Sequence, residues 1–455
     1  MNTADTLIAV FDVGKTNAKI ALVDPALGQE VWSQRRANEV VEGPAGRELD
    51  VVAIEKWLLE SLRAAPGRER VRVIVPIAHG AAAVLVDHAG EVLAAPDYED
   101  PRFDDVAAEY GVLRDPYTQT FSPNLPQGLN LGRQLFYLQQ RRPEMFARAA
   151  HILMYPQYWS WRLSGVPSAE VTSLGTHTDL WRPLDQAYSQ LARKQGWARL
   201  MPSLRGATER LGRIRVGLAA ATGLDAACEV ACGIHDSNAS YLRFLMDRER
   251  EAFTVVSSGT WTIVMANRGD LRRLREDRDM LANVNAFGAP IATARYMGGR
   301  EYEAVARGMA VPTIEGVGAV IARQACALPS FASAGPYSGR AGRIEGDDLD
   351  ATKRASLATL YSALMTALLI ESLGAAGEIF VDGPLARNPL FAPLLAACVP
   401  VGTVRTYPEG GGTRVAAYLA GMTSPAGGAL QSVIPLRLPG LLDYQARWRH
   451  RLEEK

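Results

Sequence analysis

Two stretches of this chain carry the same pattern. Phe11–Val23 reads as a strand, an Asp-x-Gly-x-Thr turn and a second strand. Ala252–Ala266 reads as a strand, a Ser-Ser-Gly-Thr-Trp turn and a second strand. Each half of the chain thus opens on a hairpin whose turn holds a glycine and a hydroxyl residue. Two such turns facing one another across a cleft grip a polyphosphate from both sides, which makes internal duplication the strongest constraint on the fold. The 455 residues exceed what one core organises, so two domains are expected, 1–245 and 246–455.

The first turn, Asp12-Val-Gly-Lys-Thr-Asn17, follows the buried apolar run Leu7–Phe11. Glycine at 14 frees the backbone, so that successive N–H groups can point at one anion. Lys15 adds a positive charge and Thr16 a hydroxyl donor. Asp12 would repel phosphate directly, and reads as holding Mg²⁺ through water. A plain hairpin with Asp and Gly as turn formers explains the same residues. The Gly-Lys-Thr is not a P-loop: Ala9 stands where that motif needs its first Gly, and a strand follows instead of a helix.

Residues 231–262 hold the second pole. Asp236 opens a helix, and the turn Ser257–Thr260 follows about twenty residues later. A carboxylate that accepts a hydroxyl proton, close to a turn that holds phosphate, fits phosphoryl transfer to an alcohol. A helix cap worth about 1 kcal/mol is the simpler role for Asp236, and the two roles are compatible.

Between these poles the chain alternates. Val51–Ala65 is an amphipathic helix with Ile54, Leu58 and Leu62 on one face. Val71–Ile77 is a buried strand ending in Pro76-Ile-Ala-His-Gly80. Strand, helix, strand implies an α/β layer with a mainly parallel sheet, whose ligands bind beyond the strand carboxyl ends, where His79 and Gly80 fall. Asp97–Pro126 is polar, Pro-rich and aromatic, and reads as a surface excursion, a lid or a homodimer contact. Ile152–Leu163 reads as a helix rich in Trp and Tyr, and Glu170–Trp181 as a polar turn beside it. Gln157, Thr176 and His177 are candidate sugar contacts. In the second half, Leu349–Ala376 contains a long apolar helix. The strand Glu378–Val381 runs into Asp382-Gly-Pro-Leu-Ala-Arg-Asn388 and a helix, a nucleotide-friendly corner. Val404–Tyr407 reads as an edge strand, and Glu409-Gly-Gly-Gly-Thr413 leads into the helix Arg414–Met422.

The duplicated hairpins follow the logic of the actin-like (ribonuclease H-like) ATPase fold, α/β with an inter-domain cleft. At this point the chain resembles the FGGY family of carbohydrate kinases, over nearly its whole length. The resemblance is carried by FDVGKTNAKIALVD, by IAHG, by YWSWRLSG with EVTSLGTHTDL, by GIHDSNA, by VSSGTW, by the MGG turn, and by VDGPLARNPLFAPLLAACV, in the family's order. It implies ATP and Mg²⁺ as cofactors. It assigns Asp12, Gly14 and Thr16 to the first phosphate motif, flanked by Lys15 and Asn17, and Ser258, Gly259 and Thr260 to the second. It assigns Gly383 and Asn388 to the adenosine motif, Asp236 to the catalytic base, and His79 and Gly80 to a substrate loop. His235 and Ser237 around that Asp look like rhamnulose and fuculose kinases, whereas IAHG looks like xylulose kinases. Lys15 stands where many members have Thr, and Pro384 where many have a second Gly.

The balance of the chain limits other classes. Lys+Arg and Asp+Glu are both 49, so no net charge argues for nucleic acid or an anionic membrane. Four cysteines without Cys-x-x-Cys spacing fit small buried residues in a reducing cytoplasm. No secretory leader is expected, and the apolar helix around Tyr361–Leu373 reads as too short to span a bilayer. Two other functions fit the pattern: an actin- or chaperone-like ATPase without a sugar acceptor, and a sugar-binding regulator on a kinase scaffold.

Overall fold

A computed structural model describes residues 5–249, 251–346, 349–399, 402–406, 411–425 and 430–454. The chain forms two compact units. The first comprises Met1–Asp247, Ala282–Pro290 and Glu409–Gly427, and the second Arg248–Leu281, Ile291–Pro408 and Gly428–Lys455.

The first unit is built on a sheet in the order Arg210–Arg213, Glu229–Ala231, Val71–Ala78, Leu7–Val13, Asn17–Asp24, Gln29–Ala37, with Ile234–His235 also paired to Val71–Ala78. The sheet is mixed, not mainly parallel. Short turns force antiparallel hairpins from Leu7 to Ala37, while the crossover through the helix Val51–Ala64 makes Val71–Ala78 parallel to Leu7–Val13. That helix forms because Ile54, Leu58 and Leu62 line one buried face and the Asp50 carboxylate caps the Ala53 N–H.

Residues 152–163 differ from the expected helix. His151–Met154 is a strand paired to Ala83–Val86, and the helix is Tyr155–Ser164, opened by Pro156 and closed by Gly165 at φ 83°. Pro156 cannot donate to a preceding helical turn, so the helix starts there. Residues 97–126 are not a bare excursion either. They form short helices, and Phe103, Val106 and Tyr110 enter a second core cluster with Leu135, Trp181 and Trp197. Tyr110 and Arg114 both bond the buried Asp179 carboxylate.

A second sheet, most of whose residues fall in the second unit, runs Met280–Val284, Pro290–Tyr296, Thr262–Asn267, Phe253–Ser258, Glu378–Asp382, Val404–Thr406, Gln431–Ser432. Val404–Thr406 is therefore not an edge strand, because Gln431–Ser432 pairs with its outer side. The long helix is Ala351–Ser372, 22 residues. It is long and apolar enough to cross a membrane, contrary to the shorter span expected, but its apolar window is 83% buried. It is the core helix of this unit, packed on Gly298–Ala306, Ile314–Ala322 and Phe391–Cys398. All four cysteines are free and buried.

Candidate active site

Three parallel strand ends place the acidic residues of the first unit. Asp12 lies level with Ile77, and Ile77 with Ile234, so the carboxyl ends of Leu7–Val13, Val71–Ala78 and Ile234–His235 end side by side. Each strand then delivers one group: Asp12, His79 and Asp236. Burial first, and then the charge of Asp236, push the Asp12 carboxyl up to about 6, against the pull of Lys19 and Arg35. Lys19 sits opposite Asp12 in the hairpin register. Both line a cavity of about 510 Å³ that also touches Glu30, Gly412 and Thr413. Lys19 pairs with Glu30. Lys19 is a candidate site residue that the motif reading missed. Its signal was the two-residue alternation of the return strand, which puts Lys19 on the face of Asp12.

The turn itself differs from expectation in one respect. The Gly14 N–H donates to the Asn17 carbonyl at 2.9 Å and so serves the turn, not an anion. Gly14 is not among the glycines with positive φ; a side chain there would meet the Asn17 oxygen at 3.1 Å. Asn38 clamps the turn from outside, its amide on the Gly14 carbonyl at 2.8 Å and its N–H on the Thr16 carbonyl. Thr16 and Asn17 are exposed. Lys15 is paired: its ammonium lies 2.5 Å from the buried Asp97 carboxylate, 3.6 Å from Glu99 and 5.2 Å from the Tyr98 ring centre. Arg47 bonds the other Asp97 oxygen at 2.9 Å. Burial would raise the Asp97 carboxyl, but Lys15 and Arg47 hold it below the usual range.

His79 is buried between Tyr155 and Tyr98, with ring centres 4.9 Å and 5.9 Å away. Its Nδ1 bonds the Gly80 carbonyl at 2.9 Å, while Nε2 is buried without a partner. Burial lowers its pKa, so the ring is neutral near pH 7. Gly80 makes room for His235: a Cβ at 80 would stand 2.7 Å from the His235 Nε2. Thr176 is buried and donates to the Thr172 carbonyl at 2.8 Å. Its hydroxyl also lies 3.3 Å from His235 Nδ1. His177, at φ 37°, bonds the Leu129 carbonyl at 2.7 Å. Gln157 lies on the helix Tyr155–Ser164. It is fully buried, its amide holds the Cys232 and Gly233 carbonyls, and its Oε1 has no partner. Buried Glu170 caps the short helix Val171–Leu174.

In the second unit the hairpin turn 259–261 meets two glycine contacts. The Gly299 N–H donates to the Thr260 carbonyl at 3.2 Å, and a Cβ at 299 would stand 2.5 Å from the Gly259 oxygen. Gly259 and Thr260 are exposed. The Ser258 hydroxyl is engaged elsewhere: it donates to the Asp382 carbonyl at 2.7 Å and accepts from the Leu385 N–H at 2.9 Å. Ser258 thus fixes the corner 382–388. Gly383 adopts φ 84° within 2.0 Å (Cβ position) of the Ser258 carbonyl. The Asn388 amide donates to Thr359 on the long helix at 3.0 Å, and its carbonyl accepts from the Leu390 N–H. Glu409 and Gly410 of the expected glycine run lie outside the described residues. From Gly411 the chain is helical to Leu419, and the Thr413 hydroxyl donates to the Gly28 carbonyl at 2.9 Å.

No group of three or more His, Cys, Asp or Glu side chains forms a metal cluster among the described residues. Two carboxylates, one raised by the charge of the other, fit Mg²⁺, which takes one or two carboxylates with water and substrate phosphate.

A mixed sheet in each unit, each with a hydroxyl- and glycine-bearing hairpin, and carboxylates at the first sheet's strand ends are what a protein that handles phosphate groups needs. The chain belongs to the FGGY family of carbohydrate kinases: the family's N-terminal domain matches residues 7–242 and the C-terminal domain, Carbohydrate kinase FGGY, residues 250–429. It is a phosphotransferase acting on a carbohydrate, in a family that takes its phosphate from ATP. A carbohydrate kinase from Novosphingobium aromaticivorans is 33% identical, with 99% of each chain covered and a TM-score of 0.89. A xylulose kinase from Lactobacillus acidophilus shares the fold at 15% identity, covering 98% of this chain and 97% of its own, with a TM-score of 0.78. A gluconate kinase from the same organism does so at 15% identity, with the same coverage and a TM-score of 0.77. No curated protein sequence matches the chain.

Proposed function

We propose that the protein transfers the γ-phosphoryl group of ATP to a hydroxyl of a ketose or polyol, with Asp236 as general base. The observation that carries this reading is the pair Asp12 and Asp236 at strand ends on either side of Val71–Ala78, level in register and close enough for one charge to raise the other's pKa. Asp236 accepts the proton as the sugar oxygen attacks phosphorus. Because the transition state is loose, positioning and charge stabilisation supply most of the rate. Thr16, Gly259 and Thr260, exposed at their turns, act on the phosphates, with Lys19 as the cation beside Asp12. Mg²⁺ would be held by Asp12 through water and would neutralise charge on the β- and γ-oxygens. His79, with its buried Nε2 unpaired, and Gly80 form the sugar loop. Thr176 and Gln157 shape the wall behind it, and His177 lies at its rim. Gly383 and Asn388 build the adenosine corner.

His235 and Ser237 flanking the base favour an acceptor of the L-rhamnulose or L-fuculose type. The Ile-Ala-His-Gly loop supports a second reading, a xylulose-type pentulose, and relatives in fold include proteins described as xylulose kinases. Four buried free thiols fit the cytoplasm. The decisive experiment is a screen of ketoses and polyols with the wild type and Asp236→Ala. We expect sugar phosphate from one ketulose, and turnover at least about 10²-fold lower in the folded variant. Near-wild-type turnover in folded Asp236→Ala removes it as base. ATP hydrolysis unaffected by every acceptor would return the chain to the conformational ATPases.

A further inference from the structure

Two hydrogen bonds and one imidazole contact converge on one oxygen of Asp236. The His235 Nε2 lies 3.2 Å from Oδ1. The Ser237 N–H donates to the same oxygen at 2.5 Å and the Ser237 hydroxyl at 3.3 Å. Oδ2 has no hydrogen-bond partner among the described residues. The two oxygens of this carboxylate are therefore not equivalent.

The imidazole that faces Oδ1 is itself held. His235 is 5% exposed. Its backbone N–H donates to the Thr172 hydroxyl at 3.2 Å, and that hydroxyl donates to the Glu170 carboxylate at 2.5 Å. Nδ1 lies 3.3 Å from the Asn238 amide nitrogen and 3.3 Å from the Thr176 hydroxyl. The missing side chain at Gly80 leaves the space that Nε2 occupies. A lone pair on Nε2 would face an anion 3.2 Å away, so the tautomer with its proton on Nε2 is favoured, and Nδ1 then accepts from Asn238. Burial pushes the ring below the ordinary histidine pKa, so this neutral form persists near pH 7.

We propose that His235 is a positioning residue which, with Ser237, ties down Oδ1 and leaves Oδ2 as the atom that takes the sugar proton. The inference rests on the kinase reading above. In the step it serves, the substrate O–H bond breaks and its proton passes to Asp236 Oδ2. The oxygen's electron pair forms the new bond to the γ-phosphorus. The bond from that phosphorus to the β,γ-bridging oxygen breaks, and its electron pair leaves on ADP. A base must present a lone pair along the line of the proton, and a carboxylate free to rotate presents it only part of the time.

The test measures kcat and both KM values for the full chain with ATP, Mg²⁺ and its best acceptor, in wild type, H235L, H235Q and H235N. In H235L, kcat is expected to fall about 10- to 100-fold, the range that a misplaced reacting group produces, with both KM values within about twofold. H235Q, whose amide N–H reaches towards the same oxygen, is expected to recover most of the loss. H235N, one methylene shorter, is not. Wild-type kcat in H235L overturns the proposal, as does a raised acceptor KM at unchanged kcat, which would make His235 a sugar contact. If circular dichroism shows H235L unfolded, the Gln and Asn variants decide, and equal kcat in the two overturns it. A wild type that phosphorylates no acceptor overturns the kinase reading together with this one, whereas a working wild type confines the failure to His235.

Discussion

At the scale of single residues, buried charge beneath the site sets a pH dependence. Glu170 is fully buried, and burial pushes its carboxyl up to about 7, against the opposing hydrogen bonds from Thr172. Its unfolded value lies near 4.5. Between these two values the folded chain binds more protons than the unfolded one, so stability falls as pH rises from about 4.5 to about 7 and stays lower above. The contribution approaches roughly 3 kcal/mol. E170Q removes the titration. The expected result is a wild-type melting temperature that drops between pH 5 and pH 8 relative to E170Q; parallel curves would refute a buried, protonated Glu170. None of this was legible in the sequence, where Glu170 is one polar residue in a turn-like stretch. Asp12, Thr16 and Asp236 could be singled out as candidates from the sequence because the motifs around them are local. The partners of Lys15 were not, because Asp97 comes 82 positions later in the chain and reaches Lys15 only through folding.

At the scale of elements, the corner 382–388, proposed above to hold adenosine, depends on a glycine conformation. Gly383 has φ 84° and ψ −166°, a region open essentially to glycine alone. Its α-carbon hydrogen faces the Ser258 carbonyl, which a Cβ would overlap at 2.0 Å. G383A should therefore destabilise by about 1–3 kcal/mol and raise the ATP KM more than the acceptor KM. Thermal melting and steady-state kinetics check both, and an unchanged ATP KM would separate this corner from the nucleotide. The hairpins and the core helix were readable from alternation and apolar spacing. The strand His151–Met154 was not, since its apolar run continues unbroken into the helix and only its pairing with Ala83–Val86 separates the two. The mixed sheet was missed for a related reason: strand order follows from long-range pairing, which local pattern does not encode.

At the scale of the molecule, sequence order and structural membership part company. The helix Gly411–Leu419 packs on the helix Asp236–Leu245. It buries Val415, Ala416 and Leu419, and Arg414 pairs with Asp247 at 2.6 Å. A fragment ending at Asp247 lacks this helix and should expose the apolar surface it covers. We expect residues 1–247 alone to bind a hydrophobic dye and to melt broadly, while the full chain does neither. A sharp melt without dye binding would show that the first unit is complete without its late segment. The duplicated hairpins gave the two-part plan, but nothing in composition marks residues 409–427 as belonging to the earlier part.

That late segment also bears on synthesis. A ribosome adds roughly 5–20 residues per second, so the stretch from Asp247 to Gly427 takes on the order of 10–40 s. Through that interval the strands and helices that carry Asp12, His79 and Asp236 have left the ribosome, while the helix that caps them has not been made. The nascent chain is therefore expected to pass through a waiting state in which the first unit still lacks its late segment, so the last tenth of translation, not the first half, sets when that unit can be finished.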